Sequence, residues 1–170
     1  MSQNLALRYK GMELAPMKTT GNPEAAYAKW EETLLNLVAD CNDIEVPTSK
    51  VENEINGMVA ELYAEMRYDS LTTGTPHYNP QQEVQEQMDE IRQTALRQVK
   101  LDMILKEIIK IENLEVSKEE LLEEAKDMSQ RQQIPLERII DFFGEDLTPL
   151  RSDLLTRKAI AVICENAVIM

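Results

Sequence analysis

Apolar positions recur at helical spacing along most of the chain. The clearest run lies between Gln81 and Asn113, a stretch with neither glycine nor proline. Val84, Met88, Ile91, Ala95 and Val99 follow at 4-3-4-4 spacing, which puts them on one face of an α-helix. Beyond Val99 the face widens to Leu101, Ile104, Leu105, Ile108, Ile109 and Ile111. The first half reads as a narrow seam, the second as a segment buried on more than one side. Such a helix is about 50 Å long at about 1.5 Å per residue. A compact globule of this size is about 40 Å across. The pattern therefore predicts a projecting helix or an elongated molecule.

The remaining elements read off in order. Leu5, Leu7, Tyr9 and Met12 suggest a short helix ending at Gly11, followed by a turn at Thr19-Thr20-Gly21. Asn22-Pro23-Glu24 is a helix start, with Asn as cap and Pro at the first helical position. Tyr27, Trp30, Leu34, Leu37 or Val38, and Cys41 form its apolar stripe. Ile44-Glu45-Val46-Pro47 predicts an extended link, because Pro47 biases Val46 away from helix. Ser49 to Glu52 has the capping-box pattern and opens a helix carrying Val51, Ile55, Met58, Leu62 and Met66. Residues 67–80 read as a loop, with Asn79-Pro80 repeating the Asn-Pro start.

After the long helix, Leu114-Glu115-Val116 is a second extended link and Ser117 to Glu120 a second capping box. The next helix carries Leu121, Leu122, Ala125 and Met128. Gln130 to Gln133 reads as a polar turn. A short helix runs from Pro135 to Gly144, and a last one from Thr148-Pro149 to about Asn166. The repeated punctuation points to one helix–turn–helix device used more than once. The whole reads as one all-α domain over 1–170: a leading segment 1–22, a first helical pair 23–66, the loop 67–80, and the long helix with C-terminal helices over 81–168.

Composition sharpens this picture. The chain is 43% hydrophobic, enough for a real core, and carries a net charge of −13. Phosphate backbones and anionic membrane surfaces would repel it on average, so neither nucleic acid nor membrane is an expected partner. Cys41 and Cys164 are too few for a disulfide framework and read as small buried hydrophobes. There is no continuous apolar run in Met1 to Lys18 and no transmembrane stretch, so the cytoplasm is the expected location.

Enzyme constellations are lacking. There is neither a dinucleotide-binding nor a phosphate-loop glycine pattern. His77, the single histidine, lies in a loop and reads as solvated. Neighbouring carboxylates such as Glu119-Glu120 and Glu123-Glu124 read as a solvent face. No catalytic residue, metal or cofactor is expected. What remains is apolar surface: nine methionines, a flexible and polarizable side chain suited to varied partners.

From Ile44 to Ala167 the chain resembles the C-terminal chaperone domain of bacterial trigger factor. The resemblance is carried by Ile44-Glu45-Val46-Pro47 with Val51-Glu52-x-Glu54-Ile55 and Met58, and by Ala95, Val99-Lys100-Leu101 and Ile104-Leu105-x-x-Ile108. It continues in Glu112-x-Leu114-Glu115-Val116-Ser117-x-Glu119-Glu120-Leu121. It ends in Leu150-x-x-Asp153-Leu154-Leu155-x-x-Lys158-Ala159 and Glu165-Asn166-Ala167. Gly11-Met12-Glu13-Leu14 to Thr20-Gly21 is similar to that family's arm-tip turn, although residues 67–80 depart from its usual arm tip. The ribosome-docking signature and the prolyl isomerase pocket of full trigger factor are not matched, so neither activity is carried over.

The resemblance implies an elongated helical body with projecting arms, similar also to the SurA-type peptide-binding fold. It implies an ATP-independent module that holds unfolded or nascent polypeptide in an apolar cradle. The expected polypeptide-binding residues are Met58, Leu62, Met66, Met88, Ile91, Met128, Ile139, Phe142 and Phe143. Acidic walls around such crevices would favour basic clients. The alternative is a structural protein whose grooves are filled by one fixed partner, most simply a second copy in a homodimer.

Overall fold

The computed structural model of the chain describes residues 6–17, 21–74 and 76–170. Among them are six helices: α1 (Pro23–Cys41), α2 (Thr48–Thr72), α3 (Pro80–Ile111), α4 (Lys118–Gln132), α5 (Leu136–Phe143) and α6 (Thr148–Glu165). Two short strands, β1 (Glu13–Leu14) and β2 (Val168–Ile169), pair in parallel with Glu13 opposite Val168. The all-α reading therefore holds, and α3, at 32 residues, is the longest element.

The helix starts follow the expected chemistry in three of four cases. Asn22 Oδ1 accepts from the Glu24 amide at 2.9 Å. Asn79 Oδ1 accepts from the Gln82 amide at 3.4 Å. Ser117 and Glu120 form a complete capping box. The exception is Ser49. The Pro47 carbonyl takes the first bonds, from the Lys50 and Val51 amides, so α2 begins at Thr48 and Ser49 caps nothing.

Three other segments differ from the sequence reading. Residues 6–12 form no helix. Gly11 adopts a φ of 69°, and its amide donates to the Asn166 carbonyl at 2.9 Å. The segment satisfies its backbone by pairing with the distant C-terminal strand, a non-local gain that overrides helix propensity. Residues 67–72, read as loop, continue α2. No glycine interrupts them before Gly74, and the hydroxyls of Ser70, Thr72 and Thr73 bond back to the carbonyls of Met66, Tyr68 and Asp69. Gln130 to Gln132 are helical, and only Gln133 turns, at φ 56°. Most of the Thr19-Thr20-Gly21 turn lies outside the described residues.

The chain divides into two compact units. One comprises Met1–Leu35 and Ile104–Met170. Its core contains Leu34, Ile104, Ile108, Ala159 and Ile163, all buried. In it α4, α5 and α6 pack on one another around Val116, Leu121, Ala125, Ile139, Leu147 and Leu150. The other comprises Asn36–Met103 and buries Val38, Ala39, Met66, Val84, Ile91, Ala95 and Val99. The seam residues of α3 are thus largely internal, as their spacing predicts.

Two single-residue readings are corrected. Cys41 is exposed, because it is the last residue of α1 and lies beyond the buried Val38. Cys164 is half-buried against Tyr27. His77 is half-buried rather than solvated. Its Nδ1 lies 2.7 Å from Glu83 Oε2, and its buried Nε2 has no partner among the described residues. The acidic first turn of α3 draws the imidazole onto the helix start.

Candidate functional site

The turn from α4 into α5 builds an apolar groove of about 700 Å³. Gln133 ends α4 in the left-handed conformation, and its amide donates to the carbonyls of Gln130 and Ser129. The Ser129 hydroxyl then donates to the Ile134 carbonyl at 2.6 Å, fixing the reversal. Pro135 follows in extended geometry and starts α5, whose first carbonyl bonds come from the Arg138 and Ile139 amides. Gly144, at φ 84°, ends α5 where a side chain would be strained.

This geometry sorts the side chains of α5. Leu136, Ile139, Ile140 and Phe143 face the cluster beneath. Ile139 is buried, while Phe142 is 81% exposed. Phe142 meets Phe143 edge-on, with centroids 5.0 Å apart and planes at 88°. That arrangement is favoured by the ring quadrupoles and holds the exposed ring in place. Met128 from α4, Ile134 and Pro135 from the turn, and Arg138, Ile139, Phe142 and Phe143 from α5 line the groove, with Gln132 and Gln133 at its polar edge.

Ion pairs brace the wall behind it. Glu124 on α4 accepts from Arg131 and from Arg157 of α6, both at 3.2 Å. Lys158 donates to the Glu115 carbonyl and to Glu120, each at 2.7 Å. Lys158 first, then the Ser117 amide, hold the Glu120 carboxyl below the usual carboxylate range. Arg151 donates to the Val116 carbonyl at 3.0 Å. These contacts join α4 and the link before it to α6.

Of the residues expected to contact polypeptide, Met128, Ile139, Phe142 and Phe143 come together here. Met58, Leu62, Met66, Met88 and Ile91 belong to the other unit. There Met66 and Ile91 are buried, and Met58, Leu62 and Met88 are half-buried. The exposed apolar side chains of that unit are instead Tyr68, Leu71, Tyr78 and Leu96. Ile134 and Arg138 were not expected in the groove. Arg138 and Phe142 share one face of α5 at i, i+4, whereas Ile134 reaches the groove from the turn, where no helical spacing applies.

A second concavity, of about 610 Å³, lies between the segment Leu14–Met17 and α1. Trp30 lines it, and its buried indole N–H has no partner among the described residues. Among the described residues no group of three or more His, Cys, Asp or Glu side chains could hold a metal ion. No helix among them is long and apolar enough to cross a membrane.

The family described as bacterial trigger factor protein (TF) C-terminus matches residues 21–165. The trigger factor of Clostridium tetani is 31% identical over 150 residues, covering 86% of this chain and 35% of that protein. That of Clostridium botulinum strain Loch Maree is 29% identical over 147 residues, covering 85% and 34%. The chain thus spans about a third of the length of the curated relatives it matches. A solved structure from a study of the domains of Thermotoga maritima trigger factor superposes with a TM-score of 0.63 at 20% identity, covering 95% of this chain and 93% of that one. At that identity the likeness speaks for the fold. The family match extends over most of the chain, and on that ground the chain belongs to the trigger factor family, through its C-terminal part.

Proposed function

We propose that this chain is an ATP-independent holding module for unfolded polypeptide, acting in the cytoplasm, with the α4–α5 groove as a principal contact surface. The observation that carries the reading is Phe142. A phenylalanine 81% exposed beside an apolar groove contributes nothing to the core that Ile139 and Phe143 already fill. Its ring instead adds apolar wall for an incoming segment.

Burying one client Leu or Phe side chain is worth about 1.5–3 kcal/mol. A few such contacts, less the cost of association, give about −8 kcal/mol, or micromolar affinity. Release then needs no chemical step, because the complex dissociates by itself. The half-buried Met58, Leu62 and Met88 of the other unit would supply further weak contacts. Many weak sites suit a holder better than one tight one, since each lets go independently.

The test is suppression of aggregation of several unrelated unfolded proteins, with and without Phe142→Ala. Suppression that weakens in the variant, at unchanged stability, supports the reading. A tight homodimer without suppression would replace it with the fixed-partner alternative.

A further inference from the structure

We propose that the outer edge of β2 takes an extended polypeptide segment as an added strand, through main-chain hydrogen bonds to Ile169. The inference rests on the holding function proposed above and adds a contact surface that does not depend on the α4–α5 groove.

The register of the β1–β2 pair sets which backbone groups are already used. Glu13 lies opposite Val168 and Leu14 opposite Ile169. The Val168 amide donates to the Met12 carbonyl at 2.8 Å, and the Met170 amide to the Leu14 carbonyl at 3.1 Å. The bonding residues of a strand alternate, so Ile169, between these two, turns its N–H and C=O away from β1. Among the described residues β2 packs chiefly on β1, and Val168, Ile169 and Met170 are all exposed. An N–H and a C=O side by side on an open edge form a template for another extended backbone.

The two outer edges of the pair are not alike. By the same alternation β1 turns the backbone of Glu13 outward, beside an exposed acidic side chain. Pro16, which has no N–H, follows soon after the strand. Charge and proline are ordinary guards of a strand edge. Residues Ala167 to Met170 contain neither. What limits the β2 edge is its length, since only two residues are in strand geometry. That shortness also decides the occupant. A stable dimer buries about 1,200–2,000 Å² in total, and so short an edge offers far less to a second copy. Every residue of an unfolded segment except proline carries the donor and acceptor that Ile169 can pair with, whatever its side chain. Main-chain recognition of this kind suits a holder of unrelated sequences.

Solvent exchange of backbone amides, read by NMR on the isotope-labelled full chain, tests this with an amidated peptide carrying a Val-Leu-Phe core. Saturating peptide should slow exchange of the Ile169 amide about tenfold, and that of the already bonded Val168 and Met170 amides much less. Titration followed through the Val168 and Met170 signals gives the affinity of this edge alone. It should fall about three- to tenfold for a peptide N-methylated along its core, and equally for Ile169→Pro. Ile169→Ala keeps the N–H and should lower it by no more than about twofold. Unchanged Ile169 exchange, equal affinity for the methylated peptide, or a loss in Ile169→Ala as large as in Ile169→Pro would overturn the proposal. So would Ile169 protection that grows with chain concentration in the absence of peptide, which would assign the edge to a second copy. If Ile169→Pro misfolds, the exchange and N-methylation arms still decide, since both use the unaltered chain. If the peptide shifts the amides around Phe142 and leaves Ile169 untouched, the holding function stands and strand addition fails. If it perturbs neither region and the chain suppresses no aggregation, both fail.

Discussion

The Tyr9 hydroxyl donates to Glu112 Oε1 at 2.6 Å, joining residues 103 apart in the chain. Lys10 Nζ reaches the same oxygen at 2.6 Å. The two contacts tie the N-terminal segment to the residue just after α3, next to the β1–β2 pairing. Tyr9 itself is buried, so its hydroxyl has Glu112 in place of water. Tyr9→Phe should lower stability by about 1 kcal/mol, read by chemical denaturation.

The same latch sets a pH dependence at both ends. The Lys10 ammonium first, then the Tyr9 hydroxyl, hold the Glu112 carboxyl below the usual carboxylate range. A depressed carboxyl stabilises the fold above its unfolded value, and that contribution is lost as pH falls through its folded value. Melting temperature should therefore drop on acidification below the ordinary carboxylate range, and less so in Glu112→Gln. Burial, then the hydrogen bond and charge of Glu112, push Tyr9 up to about 12. Burial and the Cys164 thiol do the same for Tyr27, also to about 12. A raised tyrosine stabilises below its unfolded value of 10.0 and loses that contribution as pH rises toward about 12. An alkaline melt should fall over this window, and Tyr9→Phe should flatten part of the fall.

Ser117 accepts from the Glu120 amide at 3.2 Å while Glu120 accepts from the Ser117 amide at 2.8 Å. Ser117→Ala should destabilise by about 1 kcal/mol. Ser49→Ala should do almost nothing, because the Pro47 carbonyl starts α2. The contrast between two similar sequence patterns is measurable in one denaturation series.

Ile139 and Phe142 are three residues apart on α5 and differ in kind. Ile139→Ala should cost about 2–5 kcal/mol, since it opens a cavity under the groove. Phe142→Ala should change stability by no more than about 0.5 kcal/mol, since the ring is exposed. If client binding falls in Phe142→Ala while its unfolding midpoint is unchanged, function and stability separate on one helix.

Gln133 holds a left-handed conformation at φ 56° without being glycine. Gln133→Gly should raise stability by up to about 1 kcal/mol by relieving that strain. A midpoint shift in the opposite direction would mean that the Gln133 side chain supports the turn.

Local signals in the chain set the helices and most of their ends. Spacing fixed the buried seam Val84, Ile91, Ala95 and Val99, and Asn-Pro pairs and one capping box fixed three starts, because these signals act within a few residues. The sequence also carried the family resemblance, which the family match bears out. What it could not supply was anything resting on distant partners. The strand at Glu13–Leu14 exists because Val168–Ile169 lies beside it. His77 is half-buried because Glu83 and the start of α3 receive it. Whether an apolar residue on a stripe is core, as Met66 is, or open wall, as Phe142 is, depends on what packs above it. Periodicity names the face; only the tertiary contacts decide whether that face is covered.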